Sequence, residues 1–176
     1  MQTIELAVLD WIQLRLRCGF LDWLLPLVSG LCNHGEIWMV LAAALLAVRE
    51  RRRQGLAVAM GLGVDAVAFN LILKPLIGRS RPFMVNTAVV LLTHPPGDAS
   101  FPSGHTAASF AAAFALRQSG SRLWKPAMAL AVVIALSRLY LYVHWPTDVL
   151  AGAVLGAAAG WAGAKLVESV CSQREA

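Results

Sequence analysis

The 176 residues are 58% hydrophobic and only 14% charged, which excludes an ordinary soluble domain. A mean hydropathy of +0.63 and long uncharged runs instead predict a protein of the lipid bilayer. The net charge of +5 does not predict a nucleic-acid partner, because the basic residues fall in clusters between apolar runs, as they do in membrane proteins. Three widely spaced cysteines predict neither a disulfide framework nor a metal site: Cys18, Cys32 and Cys171.

The first predicted element is an amphipathic helix within residues 1–19. Apolar side chains such as Ile4 and Trp11 share one helical face, whereas Asp10 and Gln13 lie roughly opposite. This pattern is typical of a helix that lies in the membrane interface. It fits equally well the leading turns of a first spanning helix, and the sequence leaves both interpretations open.

Six apolar runs predict an all-α integral membrane protein with a single domain over residues 1–176. The first two runs are shorter than the roughly 20 residues of a usual span, so they form either two short spans or one interrupted span. Turn-forming Asn33 and Gly35 between them favour two, which gives six transmembrane helices with five as the alternative. The runs are Phe20–Leu31, Ile37–Val48, Leu56–Leu73, Pro102–Leu116, Pro126–Tyr142 and Pro146–Val167.

Polar residues and glycines within these runs predict contacts between the helices. Asp65 lies at bilayer depth, where a charge is costly, so we expect it to face the bundle in a structural rather than a catalytic role. Asn70 lies one helical turn before Lys74 and is placed to hold that side chain. A glycine every four residues from Gly152 predicts close helix packing, within the chain in preference to a dimer seam.

The distribution of basic residues predicts the orientation of the bundle. With six spans, the positive-inside rule puts both termini in the cytoplasm. Of the 15 Lys and Arg residues, those expected at the inner ends are Arg15, Arg17, Arg49, Arg51, Arg52, Arg53, Arg117, Arg122, Lys125, Lys165 and Arg174. Those expected at the outer end, where they need a separate explanation, are Lys74, Arg79, Arg81 and Arg138.

Three polar stretches meet at the outer end of this predicted bundle. They are KPLIGRSRP from Lys74, PSGH from Pro102 and SRLYLYVHWPTD from Ser137. Hairpin connectivity brings the end of the third run, the start of the fourth, the end of the fifth and the start of the sixth to one side. The stretches should therefore form one pocket, while His94 and Asp98 are expected on the loop surface.

The cations and the helix start in these stretches suit the binding of a phosphate. Lys74, Arg81 and Arg138 supply three positive charges, and each guanidinium can fork onto two phosphate oxygens. Ser103 and Gly104 open a helix whose free N–H groups are further donors to an anion.

Two histidines add chemistry that binding alone does not require. His144 and Asp148 lie four residues apart, so the carboxylate is placed to orient one imidazole nitrogen and to leave the other as a nucleophile. His105 then remains to protonate the leaving oxygen.

The three stretches resemble the signature of the type 2 phosphatidic acid phosphatase (PAP2) superfamily, which also includes vanadium haloperoxidases. The match covers residues 74–148 without departure at the signature positions, and the short layout is similar to that of bacterial membrane lipid phosphatases. The resemblance implies that His144 forms a phosphohistidine, that Asp148 orients it and that His105 is the general acid. It also implies phosphate binding, without metal or cofactor, by Lys74, Arg81, Ser103, Gly104 and Arg138.

The expected function is removal of the terminal phosphate from a lipid at the outer face of the membrane. The resemblance to bacterial lipid phosphatases implies the cytoplasmic membrane as the location and undecaprenyl diphosphate as the favoured substrate. Phosphatidylglycerol phosphate, phosphatidic acid and lipid A phosphate remain alternatives, because the motifs contact only the phosphate. A lipid-phosphate transporter or scramblase explains the outer cations but not the spacing of His144 and Asp148. The lack of a large soluble domain argues against a haloperoxidase, and the oligomeric state is open.

Overall fold

The computed structural model describes residues 2–33 and 35–175, which form helices joined by turns and loops, without a strand. The α-helices in these residues are α1 Gln2–Arg15, α2 Gly19–Gly30, α3 Glu36–Ala47, α4 Arg52–Asp65, α5 Lys74–Ile77, α6 Pro82–Val85, α7 Gly104–Gln118, α8 Trp124–Tyr140 and α9 Pro146–Glu175. A 3-10 turn, Arg49–Arg51, precedes α4, and a π-helical segment, Ala66–Leu73, joins α4 to α5.

Two stretches of the described chain are long and apolar enough to cross a membrane. They are Arg49–Val85, which contains α4 and the π-helical segment, and Pro146–Gln173 within α9. Helices α2 and α3 are also apolar, but each has only 12 residues.

Close packing of α4, α7 and α9 forms the centre of the bundle. A Cβ atom on Gly156 would lie 2.1 Å from the carbonyl oxygen of Ala107 in α7, and Gly160 makes a similar approach one turn later. Toward α4, a Cβ on Gly163 would lie 2.3 Å from the backbone nitrogen of Gly61. No side chain fits such gaps, so glycine lets α9 lie directly on two neighbouring backbones. The predicted glycine repeat therefore packs within the chain.

The long helices connect two ends of the bundle. The end that holds Lys74, Gly104 and His144 is called the site end here, and the backbone N–H of Ser103 donates there to the carbonyl of Asp148 at 3.1 Å. The α3–α4 and α7–α8 connections lie at the opposite end. Within the described residues, five helical segments run between the two ends, namely α3, α4 with its continuation, α7, α8 and α9.

Helices α1 and α2 both lie at the site end. Gln13 of α1 donates to the carbonyl of Tyr140 at 2.6 Å, and the Tyr140 hydroxyl donates to Asp22 of α2 at 2.6 Å. Seven residues farther along α2, Ser29 accepts a hydrogen bond from Arg138, which is only two residues from Tyr140. Seven helical residues rise by about 10 Å, so α2 crosses the end of α8 and does not run alongside it.

This arrangement corrects the predicted place of the N-terminal basic residues. Arg17 lies 3.3 Å from Asp22, so Arg15 and Arg17 belong to the site end and not to the end that holds Arg49–Arg51. Ser29 of α2 and Cys32 just after it contact Arg138 and His105, so α2 also ends near the site end. Hydropathy could not show this, since an apolar helix that crosses a neighbour has the same composition as one that crosses a bilayer.

Helix α1 presents its predicted apolar face outward. Ile4 is 71% exposed and Leu14 83% exposed, whereas Glu5 and Leu9 are buried against the protein. Residues 16–18 separate α1 from α2, so α1 does not form the leading turns of a longer helix. A short helix with an outward apolar face is the arrangement expected of the interfacial alternative.

Candidate active site

A cavity of about 1020 Å³ opens at the site end between α3, α4, α7 and α8. Six of the eight predicted site residues line it: Lys74, Arg81, Gly104, His105, Arg138 and His144. The other two, Ser103 and Asp148, are fully buried behind the wall. The Ser103 hydroxyl lies 3.0 Å from the hydroxyl of Thr106, so it bonds within its own helix turn. The three stretches thus meet at one place in the fold.

The two ring nitrogens of His144 have separate surroundings. Nε2 lies 3.2 Å from Nη1 of Arg81, which can only donate, so Nε2 is the acceptor and the ring proton resides on Nδ1. Nδ1 faces Oδ2 of Asp148 at 3.6 Å and the hydroxyl of Ser100 at 3.5 Å. Burial, followed by the charges of the surrounding cations, holds the pKa of His144 well below its ordinary value. The ring is therefore neutral at pH 7 and keeps a lone pair on Nε2.

Asp148 is held in place by three neighbouring groups. The backbone N–H of Trp145 donates to Oδ2 at 2.9 Å, and the Ser100 hydroxyl donates to the same oxygen. Nη1 of Arg79 donates to Oδ1 at 2.6 Å. Hydrogen bonds in catalytic sites are often long before the substrate binds, so the 3.6 Å between Asp148 and the His144 ring is compatible with an orienting role.

The three cations that line the cavity, Lys74, Arg81 and Arg138, differ in their hydrogen bonds to the rest of the protein. Arg81, only 2% exposed, donates to the carbonyls of loop residues and to an acidic side chain described below. Arg138 donates from Nη1 to Ser29, while its buried Nε has no hydrogen-bond partner within the described part of the chain. Because a buried donor without a partner is costly, Arg138 is well placed to donate to an anion in the cavity.

Asp98 is exposed on its loop, as predicted, and it also lines the cavity, which was not predicted. One carboxylate oxygen accepts from Nη2 of Arg81 at 2.6 Å, and the other accepts from Lys74. Burial raises the pKa of Asp98, but the hydrogen bonds and charges of Lys74 and then Arg81 outweigh it and lower the pKa to about 2. Asp98 is thus ionised at neutral pH, and its carboxylate is bound by two of the cations predicted to bind phosphate.

His105 lies in the first turn of α7 and reaches the turn between α2 and α3. Its Nε2 lies 3.4 Å from Oδ1 of Asn33, and its carbonyl accepts from the Ser109 hydroxyl at 2.7 Å. The sequence predicted Asn33 only as a turn former. The imidazole of His105 therefore faces a neutral amide, whereas that of His144 faces a carboxylate, and the two histidines are suited to different roles.

The start of α7 also contacts the π-helical segment. A Cβ atom on Gly104 would lie 2.8 Å from Oδ1 of Asn70 and 3.7 Å from Nζ of Lys74, so this contact requires glycine. As predicted, Asp65 is buried in the bundle. The Asn70 amide donates to Asp65 at 3.2 Å and does not hold Lys74, which was the predicted contact.

Apolar side chains form another part of the cavity wall. Met39 of α3, Leu62 of α4 and Ala108 of α7 line it beside the charged residues. A cavity lined by both cations and apolar side chains suits a ligand that combines an anionic head with a hydrocarbon chain.

Two residues with evident roles in this geometry were not among the predicted site residues. Arg79 was recognised only as an outer cation, although its position two residues before Arg81 could have suggested a contact with the site. Ser100 lies in a proline-rich loop, and a lone serine there carries no recognisable signal.

Comparison with known proteins places these observations in a family. A family model described as the PAP2 superfamily matches residues 53–170. The chain is 34% identical over 121 residues to an undecaprenyl-diphosphatase of Sulfolobus acidocaldarius, an alignment that covers 68% of this chain and 58% of that protein. It is 35% identical over 157 residues to a decaprenylphosphoryl-5-phosphoribose phosphatase of Mycobacterium tuberculosis, covering 86% of this chain and 83% of that one.

A solved structure has a similar fold. A transmembrane PAP2-type phosphatidylglycerolphosphate phosphatase from Bacillus subtilis superposes with a TM-score of 0.74, covering 98% of this chain and 86% of that one. The identity is 24%, so this likeness bears on the fold alone.

Proposed function

This chain belongs to the PAP2 superfamily, and on that premise we propose that it is a membrane-embedded phosphatase that removes the terminal phosphate of a lipid. The surroundings of His144 carry the proposal. Its acceptor nitrogen lies in a cavity lined by cations, while its other nitrogen faces a buried carboxylate. A site that only bound phosphate would need the cations but not this neutral, oriented imidazole.

In the first proposed step, the phosphate enters between Lys74, Arg81 and Arg138 and displaces the Asp98 carboxylate from two of them. Nε2 of His144 attacks phosphorus, and a P–N bond forms as the P–O bond to the lipid breaks. The three cations neutralise the charge on the phosphoryl oxygens, and Asp148 stabilises the positive charge that develops on the imidazole.

In the same step, His105 gives a proton to the leaving oxygen of the lipid. Water then attacks the phosphohistidine, a new P–O bond forms, and the P–N bond breaks to release inorganic phosphate and free His144. His105 has by then lost its proton, so it can accept one from the attacking water. The cycle returns both histidines to their starting states.

We propose a polyprenyl-linked phosphate as the substrate class, with undecaprenyl diphosphate as the first choice. The names of two relatives support this choice, since one refers to undecaprenyl diphosphate and the other to a decaprenyl-linked sugar phosphate. The apolar wall beside the cations supports a hydrocarbon chain next to the phosphate. Phosphatidylglycerol phosphate, phosphatidic acid and lipid A phosphate offer the same chemistry and are the alternatives to assay.

The proposal is tested by phosphate release from a panel of these lipids in mixed micelles without added metal. We expect release by the wild type, and at least about 10³-fold slower release by His144→Ala, because the nucleophile is lost while the binding groups remain. Lys165→Met removes an exposed cation that pairs with Glu168 at 2.7 Å, and it should retain the wild-type rate.

Two results would contradict the proposal. Equal release by wild type and His144→Ala would exclude His144 as the nucleophile. Lipid flux into vesicles without phosphate release by the wild type would indicate a transporter.

A further inference from the structure

A buried carboxylate on α1 is not explained by the proposed reaction. Glu5 is only 5% exposed, although it lies on a short helix whose opposite face points outward. A buried charge is costly unless it is paired and hydrogen-bonded, and an anchoring helix could use an apolar residue at this position. The contacts of Glu5 therefore need an explanation beyond anchoring.

Glu5 is connected to the catalytic carboxylate through a single guanidinium. Oε2 of Glu5 lies 2.6 Å from Nη2 of Arg79, and Nη1 of Arg79 lies 2.6 Å from Oδ1 of Asp148. Thr147 strengthens this connection, because its backbone N–H and its hydroxyl donate to Oε1 of Glu5 at 3.0 and 2.6 Å. The guanidinium also stacks over the ring of Trp145 at 5.1 Å. Arg79 is thus fixed between two carboxylates and an aromatic face.

These contacts leave each carboxylate oxygen of Asp148 with its own set of partners. Oδ1 is bound to Arg79, so Oδ2 remains for the Ser100 hydroxyl, the Trp145 N–H and Nδ1 of His144. Rotation of the carboxylate would break bonds on both sides. Burial raises the pKa of Glu5, but the hydrogen bonds from Thr147 and the hydrogen bond and charge of Arg79 outweigh it and lower that pKa. The Glu5–Arg79 ion pair therefore persists at neutral pH.

We propose that Glu5 and Arg79 are positioning residues that fix Asp148 and hence the tautomer and orientation of His144, so that the interfacial helix α1 is a functional part of the active site. This inference rests on the proposed phosphatase function. Neither residue lines the cavity, so both act through Asp148 and not on the substrate. The alternative is that the ion pair only anchors α1 to the bundle.

Helix α1 offers a matched control for that alternative. Asp10 accepts from the Tyr142 hydroxyl at 2.6 Å, so it also binds α1 to the site end, yet its contacts do not reach Asp148. Asp10→Asn, like Glu5→Gln, removes one negative charge from a contact that docks α1. Only Glu5→Gln should disturb the carboxylate that orients His144.

The kinetic test compares lipid phosphate release by wild type, Glu5→Gln, Arg79→Gln and Asp10→Asn. We expect kcat to fall by about 10- to 100-fold in the Glu5 and Arg79 variants, because the reacting groups lose their alignment. KM should stay within about twofold, since the three cavity cations are unchanged. Arg79→Lys keeps the charge without the fork and should recover part of kcat, and Asp10→Asn should keep the wild-type kcat.

A second readout does not depend on the substrate. In protein labelled with 15N-histidine, the NMR signals of His144 should show the Nδ1–H tautomer in wild type and in Asp10→Asn. Arg79→Gln and Glu5→Gln should show a mixture of tautomers. A His144→Gln sample assigns the signals.

The outcomes separate the two hypotheses. If the wild type releases no phosphate from any lipid, the proposed function fails, and the tautomer measurement still decides the positioning role. If Glu5→Gln and Arg79→Gln match Asp10→Asn in both kcat and the His144 tautomer, the ion pair only anchors α1 and the inference is overturned.

Discussion

Asp98 is the residue whose charge bears most directly on substrate binding. Its carboxylate is bound to Lys74 and Arg81, so a phosphate reaches both cations only by replacing those bonds. The Asp98 side chain is 54% exposed, so water can solvate the carboxylate once it is displaced. The competition therefore lowers the affinity for phosphate without preventing its binding.

Asp98→Asn should bind orthophosphate more tightly than wild type. Hydrogen bonds to charged groups contribute about 1.5–3 kcal/mol, so a Kd that is lower by roughly tenfold or more is expected. The pKa of Asp98 is about 2, so the carboxylate stays charged at pH 5 to 8 and its own titration adds no pH dependence over that range. Isothermal titration of the detergent-solubilised wild type and variant with orthophosphate, at several pH values, measures the Kd of each protein.

Glu168→Gln is the control for the Asp98 titration, because it removes one negative charge from a pair exposed far from the cavity. Its Kd should equal that of the wild type. Binding by Asp98→Asn that is equal to or weaker than wild-type binding would show that Asp98 does not compete with phosphate.

Some residues of the site could be predicted from the sequence and others could not. The four-residue spacing of His144 and Asp148 is a local signal in the sequence. The cations at the outer end of the bundle are a signal from the predicted topology, because basic residues are not expected there. The structure brings His144 and three of these cations to one cavity, with Asp148 buried behind its wall. Asp98 and Ser100 lie in a proline-rich loop whose path depends on contacts with distant residues, so no local pattern places them in the site. Glu5 could not be assigned, because a single acidic residue on an amphipathic helix is normally solvated.

At the scale of elements, the packing of α9 on α7 supports the position of the site. Helix α7 carries His105 and α9 begins just after His144, so the distance between the two helices sets where the histidines lie. Glycines of α9 allow that distance, because a Cβ on Gly156 would collide with the backbone of Ala107.

Gly156→Ala should therefore destabilise the protein. An extra methyl group in a closely packed interface costs about 1–3 kcal/mol, which corresponds to a fall in Tm of about 2–12 °C for a chain of this size. Thermal unfolding in detergent, followed by circular dichroism, measures the change. Gly63→Ala is the control, since a Cβ there has no atom within 4 Å and alanine is the better helix former. A Tm for Gly156→Ala equal to that of Gly63→Ala would contradict the backbone contact.

Hydropathy predicts where the helices lie in the sequence but not the direction in which each one runs. The apolar runs and breaker residues predicted where the helices are, since apolar composition and capping are local properties. The direction of α2 is set by hydrogen bonds that Tyr140 donates to Asp22 and Arg138 donates to Ser29, which join residues more than 100 positions apart. Such contacts leave no trace in the hydrophobic pattern of the helix itself.

At the scale of the whole molecule, the distribution of basic residues predicts which side of the membrane the site faces. Among the basic residues at the site end, Lys74, Arg79 and Arg81 are paired with acidic side chains. The basic residues of the opposite end follow the positive-inside rule and favour the cytoplasm: Arg49, Arg51, Arg52, Arg53, Arg117, Arg122, Lys125, Lys165 and Arg174. We therefore propose that the site end faces the outside of the cytoplasmic membrane and that five segments cross it.

Labelling of single cysteines in intact cells tests both parts of this topology. In a variant without the native cysteines, Thr87→Cys reports on the site end and Gln118→Cys on the opposite end, and both positions are exposed. A membrane-impermeant maleimide should label Thr87→Cys in intact cells and Gln118→Cys only after permeabilisation, and the reverse pattern would place the site in the cytoplasm. Restoring the exposed Cys18 alone then separates five spans from six. Because α1 and α2 lie at the site end, Cys18 should be labelled from outside, whereas a six-span arrangement would protect it until permeabilisation.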